Sequence, residues 1–164
     1  MPKLSRLLIG FVPLVLVVIL SGCQGGGLLG TSARGTVPEE DRIPLAATAQ
    51  STWNTDMVSL DYRYAHQGDS LDIQGLAHYL PALTANFDLM KSFHMDVIFA
   101  DAQGKVLGMH GLATSGDFDP VTFNVKAAVP YNTAYLAFSY RGEAIEASHE
   151  DGGGPYSFWK WPIR

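Results

Sequence analysis

Short runs of alternating apolar and polar residues dominate positions 52–164 of this chain. A period of two is typical of strands that bury one face, and Gly, Pro, Asp and Asn separate the runs as turn residues do. No stretch of ten or more residues has helical spacing, although 81–91 has room for one helical turn. We therefore predict an all-β domain over 52–164, an antiparallel β-sandwich of seven strands. The predicted strands are 57–64, 70–80, 92–100, 105–112, 118–129, 134–141 and 156–161.

The number and spacing of these strands resemble a known architecture. Seven strands in about 110 residues resemble an immunoglobulin-like or fibronectin type III-like sandwich. Pro130, Thr133 and Tyr135 are similar to the approach of a fibronectin type III domain to its sixth strand, which implies a tyrosine corner at Tyr135. With one Cys, the chain lacks the Cys, Trp and Cys pattern of true immunoglobulin domains. The resemblance concerns the architecture, and an architecture does not define a function.

The third and fourth predicted strands form a hairpin whose register follows from the hydrophobic pattern. A type I turn over 101–104, with the last residue a left-handed Gly, places Val97 opposite Met109 on the core face. On the other face Asp96 then lies opposite His110. We interpret Asp96 and His110 as a structural cross-strand pair, which contributes some tenths of a kcal/mol, about 0.2–1.

A charge-free apolar run occupies positions 7–20, shortly after Lys3 and Arg6. It fits the hydrophobic region of a signal peptide and is short for a membrane span of about 20 residues. The run leads into Leu-Ser-Gly-Cys at 20–23, which resembles the lipobox of bacterial lipoproteins. The resemblance implies a signal peptide at 1–22, a diacylglyceryl thioether on Cys23, cleavage before Cys23 and acylation of the new N-terminus.

The same resemblance implies a location. Each buried methylene of an acyl chain contributes about 0.8 kcal/mol, so two or three chains on Cys23 would hold the protein firmly on a membrane. Gln24, rather than Asp, follows the Cys. By the sorting rule of enterobacterial lipoproteins, this implies the outer membrane of the cell envelope rather than the inner membrane. Apart from the covalent lipid we expect no cofactor.

Residues 23–51 differ in composition from the predicted sandwich. They are rich in Gly, Ser, Thr, Ala and Pro, and no period of 2 or 3.6 persists along them. We predict that they form a flexible tether that begins at the lipidated Cys23. This tether would hold the sandwich away from the lipid headgroups.

The charge balance and the absence of motifs exclude several functions. The chain has 11 basic and 16 acidic residues, and loss of Lys3 and Arg6 with the signal peptide leaves 9 and 16, a net charge of −7. That balance argues against a nucleic-acid partner, which requires a basic surface. The sequence contains no G-x-S-x-G, Walker A or H-E-x-x-H motif, and no two of its five His are four residues apart. We expect no catalytic residue and no metal site, and therefore not an enzyme.

The last predicted strand concentrates aromatic residues. Tyr156, Trp159 and Trp161 are the candidate binding residues, and alternation sends Trp159 and Trp161 to one face. The pattern leaves open whether that face is exposed or covered. We predict a non-catalytic binding or assembly module of the envelope with a protein partner. The alternative is a carbohydrate-binding module in which Trp159 and Trp161 stack on sugar rings.

Overall fold

Nine strands and one helical turn form the part of the chain that the computed structural model describes, residues 34–146 and 155–164. The strands are β1 (Ile43–Pro44), β2 (Thr48–Asn54), β3 (Val58–Gln67), β4 (Ser70–Tyr79), β5 (Leu89–Ala100), β6 (Val106–Ser115), β7 (Val121–Ala128), β8 (Tyr135–Ile145) and β9 (Tyr156–Lys160). A 3₁₀ turn (Glu39–Asp41) precedes β1, and α1 (Pro81–Thr84) separates β4 from β5. The predicted signal peptide, the predicted lipidation site Cys23 and Gln24 lie outside the described residues.

The strands pair into two antiparallel sheets. Sheet 1 has the order β1-β8-β5-β6, and β9 pairs with the edge of β8 that also receives β1. Sheet 2 has the order β2-β3-β4-β7. The predicted all-β, antiparallel architecture is confirmed, but the described residues contain nine strands rather than seven. The seven predicted strands are present as β3 to β9, and the helical turn predicted within 81–91 is α1.

One apolar core lies between the inner faces of the two sheets. In β7, Phe123 and Ala127 are buried whereas Thr122 and Asn124 are exposed, as the alternation predicts. Aromatic rings meet across the core; Tyr62 of sheet 2 lies edge-on to a sheet 1 ring, with centroids 4.8 Å apart. The largest fully buried side chains of this core are Phe93, Phe99, Phe138, Phe158, Leu60, Leu71, Ile73, Leu83, Met95 and Leu136. Five of these residues belong to β5 and β8, which makes that pair the centre of sheet 1.

The predicted flexible tether over 23–51 is wrong for its described part, residues 34–51. Val37 is completely buried, β1 pairs with β8, and β2 pairs with β3 over seven residues. The periodicity missed these strands because β1 has two residues and β2 is a mostly exposed edge strand. Backbone pairing to a partner strand holds them, and such pairing leaves little mark on hydrophobic spacing. Residues 23–33 lie outside the described part, and there the tether stays a prediction.

The hairpin of β5 and β6 has the predicted turn but a different register. Gly104 adopts a φ of 85°, in the left-handed region that this turn requires. A β-bulge between Phe99 and Ala100 leaves Leu107 as an extra residue on β6. The pairs from Phe99 to Asp96 are therefore offset by one residue from the prediction, and a second register shift between Met95 and Asp96 increases the offset beyond them.

This offset separates Asp96 from His110. Val97 lies opposite His110, and Asp96 lies opposite Gly111. The prediction of a directly opposed Asp96–His110 pair is wrong, because a bulge moves the register without changing the hydrophobic pattern. The assignment of Val97 to the core is confirmed, whereas Met109 packs against a smaller cluster on the opposite face of the sheet.

That smaller cluster covers half of the outer face of sheet 1. Val37 and Ile163, from the first and last described segments, pack with Ile98 and Ala137 of the sheet. Backbone hydrogen bonds between residues 36 and 164, of 2.9 and 3.0 Å, join the two segments to each other. The other half of this outer face carries no such cover from residues 34–42 and 161–164.

Tyr135 takes part in this cover rather than in a tyrosine corner. The guanidinium carbon of Arg42 lies 5.5 Å from the centroid of the Tyr135 ring. The Arg42 side chain also donates hydrogen bonds to the carbonyl groups of Val37 and Gln103, each 2.9 Å long. In the described part of the chain the Tyr135 hydroxyl makes no hydrogen bond to the backbone, so the predicted corner is wrong.

Candidate functional site

The uncovered half of the outer face of sheet 1 carries a row of polar and aromatic side chains. The row crosses the sheet at directly opposed register positions, from β6 through β5 and β8 to β9: Thr114, His94, Arg141 and Trp159. Directly opposed residues have Cβ atoms about 5 Å apart. The ladder therefore places a guanidinium next to an indole ring at the edge of the sheet.

A shallow groove of about 360 Å³ follows this row, and we call it the Trp159 groove. Trp159 is 66% exposed, although it is the largest apolar side chain of the groove. Five of the seven other residues that line the groove are polar or charged, and the apolar Phe158 is buried, so the exposed ring stands among polar side chains. The residues that line the groove are Ser92, His94, Arg141, Gly142, Glu143, Ser157, Phe158 and Trp159.

The core fixes the position of Trp159 through its neighbour Phe158. Phe158 is 2% exposed and packs against Phe93 and Tyr140, with ring centroids 6.5 and 6.0 Å apart. Gly142 lies opposite Phe158, and a Cβ atom on Gly142 would collide with the Phe158 ring. Because successive side chains of a strand point to opposite faces, a buried Phe158 presents Trp159 to solvent.

The charges along the groove are unequally compensated. The Nζ atom of Lys91 lies 3.0 Å from an Oε atom of Glu143, so the Glu143 carboxylate has a local counter-charge. Arg141 is exposed, and no carboxylate within residues 34–146 and 155–164 forms an ion pair with it. The groove therefore presents a cation beside an exposed indole ring.

The next row of the ladder, nearer the covered half, contains Asp96 opposite Ser139. Burial raises the pKa of Asp96, and the nearby charges of Arg141, His94 and His110 offset this only in part. The Ser139 side chain is 1% exposed, and its Oγ atom has no hydrogen-bond partner. An unsatisfied buried hydroxyl costs about 1–3 kcal/mol. The fold thus keeps poorly satisfied polar groups directly beside the groove.

Asp96, His94 and Ser139 have the composition of a catalytic triad but not its geometry. None of the hydrogen bonds of the described residues joins any two of the three side chains. The Ser139 hydroxyl is too deeply buried to reach a substrate. A nucleophile requires both access to substrate and a base within hydrogen-bond reach. These three side chains therefore do not form a catalytic triad in this structure.

The structure separates the three aromatic residues that the sequence grouped. Trp159 lines the groove, whereas Trp161 lies beyond the end of β9 and is 46% exposed. Tyr156 stacks on Phe87, with centroids 4.7 Å apart, and does not line the groove. Of the candidate binding residues, Trp159 alone therefore belongs to the groove.

Sequence reasoning missed His94, Arg141 and Glu143 as groove residues. A signal was present for Arg141, because it interrupts the apolar run of β8 directly after Tyr140. The sequence could not place Arg141 beside Trp159, since the two belong to strands whose pairing partner had to be known first.

The outer face of sheet 2 has a larger concavity, of about 730 Å³. Several polar side chains of this face pair with one another. Arg63 donates to the side-chain carbonyl of Gln74 (2.9 Å), Thr52 donates to Asp61 (2.5 Å), and a ring nitrogen of His78 lies 3.8 Å from Asp61. None of the exposed large apolar residues of the described segments lies on this face.

The described residues contain neither a metal cluster nor a membrane-spanning helix. Residues 34–146 and 155–164 contain no group of three or more His, Cys, Asp or Glu that is placed to hold a metal ion. Within the same ranges, no helix has the length and apolar character needed to cross a bilayer. No protein-family model, curated protein or solved structure matches this chain.

Proposed function

We propose that this protein is a lipid-anchored, non-catalytic binding module of the bacterial cell envelope, and that its Trp159 groove binds a glycan. The observation that carries the proposal is the 66% exposed indole of Trp159 in a groove with polar and charged walls. A pyranose ring offers an apolar face for stacking and a rim of hydroxyl groups for hydrogen bonds. Ser92, Arg141 and Glu143 supply donors and acceptors around the ring of Trp159.

A protein partner is the second candidate for this site. The edge of β9 that faces away from β8 has no strand partner among the described residues, and such an edge can accept an added strand. A flat apolar patch would favour a protein. Of the five large exposed apolar residues of the described segments, only Trp159 lines the groove, and the others lie outside it: Leu89, Tyr131, Tyr156 and Trp161. The groove geometry therefore supports the glycan better.

The lipid anchor rests on the lipobox-like residues 20–23 and on the length of the intervening chain. Ten residues lie between Cys23 and Arg34, the first described residue, and the connection spans eleven Cα–Cα steps. Fully extended, they would reach about 36–40 Å. This length would keep the groove within reach of glycans close to the membrane. Gln24 supports the outer membrane as the destination.

We also propose that β3 to β9 form a sandwich of the fibronectin type III-like kind. The first, second and fifth of these seven strands pair in sheet 2, and the third, fourth, sixth and seventh pair in sheet 1. In the constant-type immunoglobulin fold the fourth strand pairs in the sheet of the first, second and fifth. Its pairing with the third strand here supports the fibronectin-like form, to which β1 and β2 are edge additions.

Cosedimentation with peptidoglycan sacculi tests the glycan proposal on the lipidated full chain. We expect Trp159→Ala to weaken binding at least about tenfold, because it removes the stacking surface. Tyr131→Ala is the matched control, since Tyr131 is 89% exposed and lies outside the Trp159 groove. Cys23→Ala tests the anchor separately, through loss of the acyl mass and of membrane fractionation.

Wild-type affinity in the Trp159→Ala variant would overturn the glycan site. A crosslink from position 159 to one envelope protein would then favour the protein partner. An acylated, membrane-bound Cys23→Ala variant would overturn the lipoprotein assignment and leave the groove proposal standing.

A further inference from the structure

We infer that the glycan recognised by the Trp159 groove carries a carboxylate group, and that Arg141 binds this carboxylate. The inference rests on the proposed function, because it names the ligand class of the same groove. It depends on the charges that line the groove and on the position of Arg141 in the ladder.

The local charge of the groove contrasts with the charge of the whole chain. The chain has a net charge of −5, and an acidic protein repels anionic ligands. In the groove, Glu143 is paired with Lys91 at 3.0 Å, and Arg141 has no ion-pair partner among the described residues. An exposed guanidinium that forms no ion pair with any described carboxylate is an attractive site for an anion, even on an acidic protein.

The position of Arg141 matches a charged group attached to a stacked ring. Arg141 lies directly opposite Trp159, so its Cβ atom is about 5 Å from that of Trp159. A sugar ring on the indole would bring a substituent of its near edge over Arg141. The guanidinium binds a carboxylate through two parallel N–H···O bonds, a geometry that a neutral hydroxyl group cannot reproduce.

The carboxyl group of Asp96 weakens the binding of an anionic ligand in the groove. Its carboxyl lies one row from Arg141 and interacts electrostatically with it, without forming an ion pair. A carboxylate ligand on Arg141 would therefore meet some repulsion from Asp96. Replacement of Asp96 by Asn should strengthen the binding of a carboxylated glycan and leave the binding of a neutral glycan unchanged.

Two disaccharides of equal ring number test the inference by titration of the lipidated protein in detergent. One joins N-acetylglucosamine to N-acetylmuramic acid, which carries a carboxylate; the other is chitobiose, which does not. We expect wild type to prefer the acidic disaccharide at least about tenfold at low salt, and less at high salt. Arg141→Gln should remove the preference. Arg141→Lys should retain part of it, since Lys keeps the positive charge but cannot form the two parallel hydrogen bonds of a guanidinium.

Arg63→Gln is the matched control. Arg63 lies in the concavity of sheet 2 and is bonded to Gln74, so its loss should leave the preference at the wild-type value. A disaccharide with glucuronic acid in place of N-acetylmuramic acid shows whether the carboxylate is read on the ring itself or on the lactyl substituent.

The outcomes separate the two proposals. If both disaccharides bind equally and Trp159→Ala weakens both, the carboxylate inference fails and the glycan site stands. A preference that survives in Arg141→Gln also overturns the inference. If wild type binds neither the disaccharides nor sacculi, the proposed function itself fails.

Discussion

The outer faces of the two sheets differ in how far their polar side chains are paired with one another. On sheet 2 several polar side chains pair with one another, as Arg63 does with Gln74 and Thr52 does with Asp61, although the buried Ser70 Oγ atom has no partner. On sheet 1 the polar groups beside the groove are left incompletely satisfied. There, Arg141 has no ion-pair partner among the described residues, and the Ser139 hydroxyl is buried without a hydrogen bond.

This difference in pairing indicates which of the two outer faces is more available to a ligand. Side chains that already satisfy one another gain little from a new partner, because binding must first break their existing bonds. Groups without a protein partner exchange only bound water for the ligand. This supports the smaller Trp159 groove as the proposed binding site, although the concavity on sheet 2 has about 730 Å³ against 360 Å³.

The largest expected effect concerns the core that both faces share. Val97→Asp places an unpaired charge where Val97 is 0% exposed, and should cost more than about 4 kcal/mol and unfold the domain. Urea denaturation followed by circular dichroism measures this. Asn124→Asp, on the exposed face of β7, should change the free energy of unfolding by less than about 0.5 kcal/mol. A folded Val97→Asp variant would mean that the inner and outer faces of sheet 1 are reversed.

Gly75 of sheet 2 and Gly142 of sheet 1 each lie against a Phe ring, so they provide matched substitutions in the two sheets. A Cβ atom on Gly75 of sheet 2 would lie 2.7 Å from the Phe123 ring, and one on Gly142 of sheet 1 would collide with the Phe158 ring. We expect Gly75→Ala and Gly142→Ala each to cost about 1–3 kcal/mol by overpacking. Gly142→Ala alone should also weaken glycan binding, because Phe158 positions Trp159. Equal binding losses in both folded variants would contradict this role of Phe158.

The smallest effect is a change in the free energy of unfolding, which should have opposite signs when an Asp on each of the two faces is replaced by Asn. Burial raises the pKa of Asp96, so its carboxylate destabilises the native state at neutral pH, and this penalty disappears as the pH falls through the pKa of the folded state. Asp96→Asn should therefore raise the free energy of unfolding at pH 7 and have less effect in acid. Asp61→Asn should lower it slightly, since the amide oxygen of Asn is a weaker acceptor for the Thr52 hydroxyl than a carboxylate oxygen. Thermal unfolding at pH 7 and at lower pH measures both; a stabilising Asp61→Asn would remove the contrast.

Local patterning predicted the seven main strands, because most of them alternate strongly enough to define a buried face; β8, buried on both faces over 136–140, is the exception. It missed β1 and β2, whose two and seven residues are held by partner strands and not by their own spacing. It also missed the bulge at Phe99 and Ala100, since a bulge preserves the sequence pattern while it moves the register. Both failures have one cause, which is that strand pairing is not encoded in the spacing of a single strand.

The binding residues were only partly predictable for the same reason. Alternation placed Trp159 and Phe158 on opposite faces, and the core confirms the burial of Phe158. Whether the other face was covered depended on where residues 34–42 and 161–164 cross the sheet. The neighbour relation between Arg141 and Trp159 exists only once β8 and β9 are paired.

The hydrogen bonds between the first and last described segments determine which contacts first resist a pulling force on the chain. A pull on the chain before Thr36 acts first on its two backbone bonds with Arg164 and on the bond from the Val37 N–H to the Gly104 carbonyl. These contacts share the tension between the last segment and the β5–β6 turn. A sustained pull from a membrane would be resisted by several bonds loaded together, and would uncover Ile98 before it reached the strands that hold Trp159.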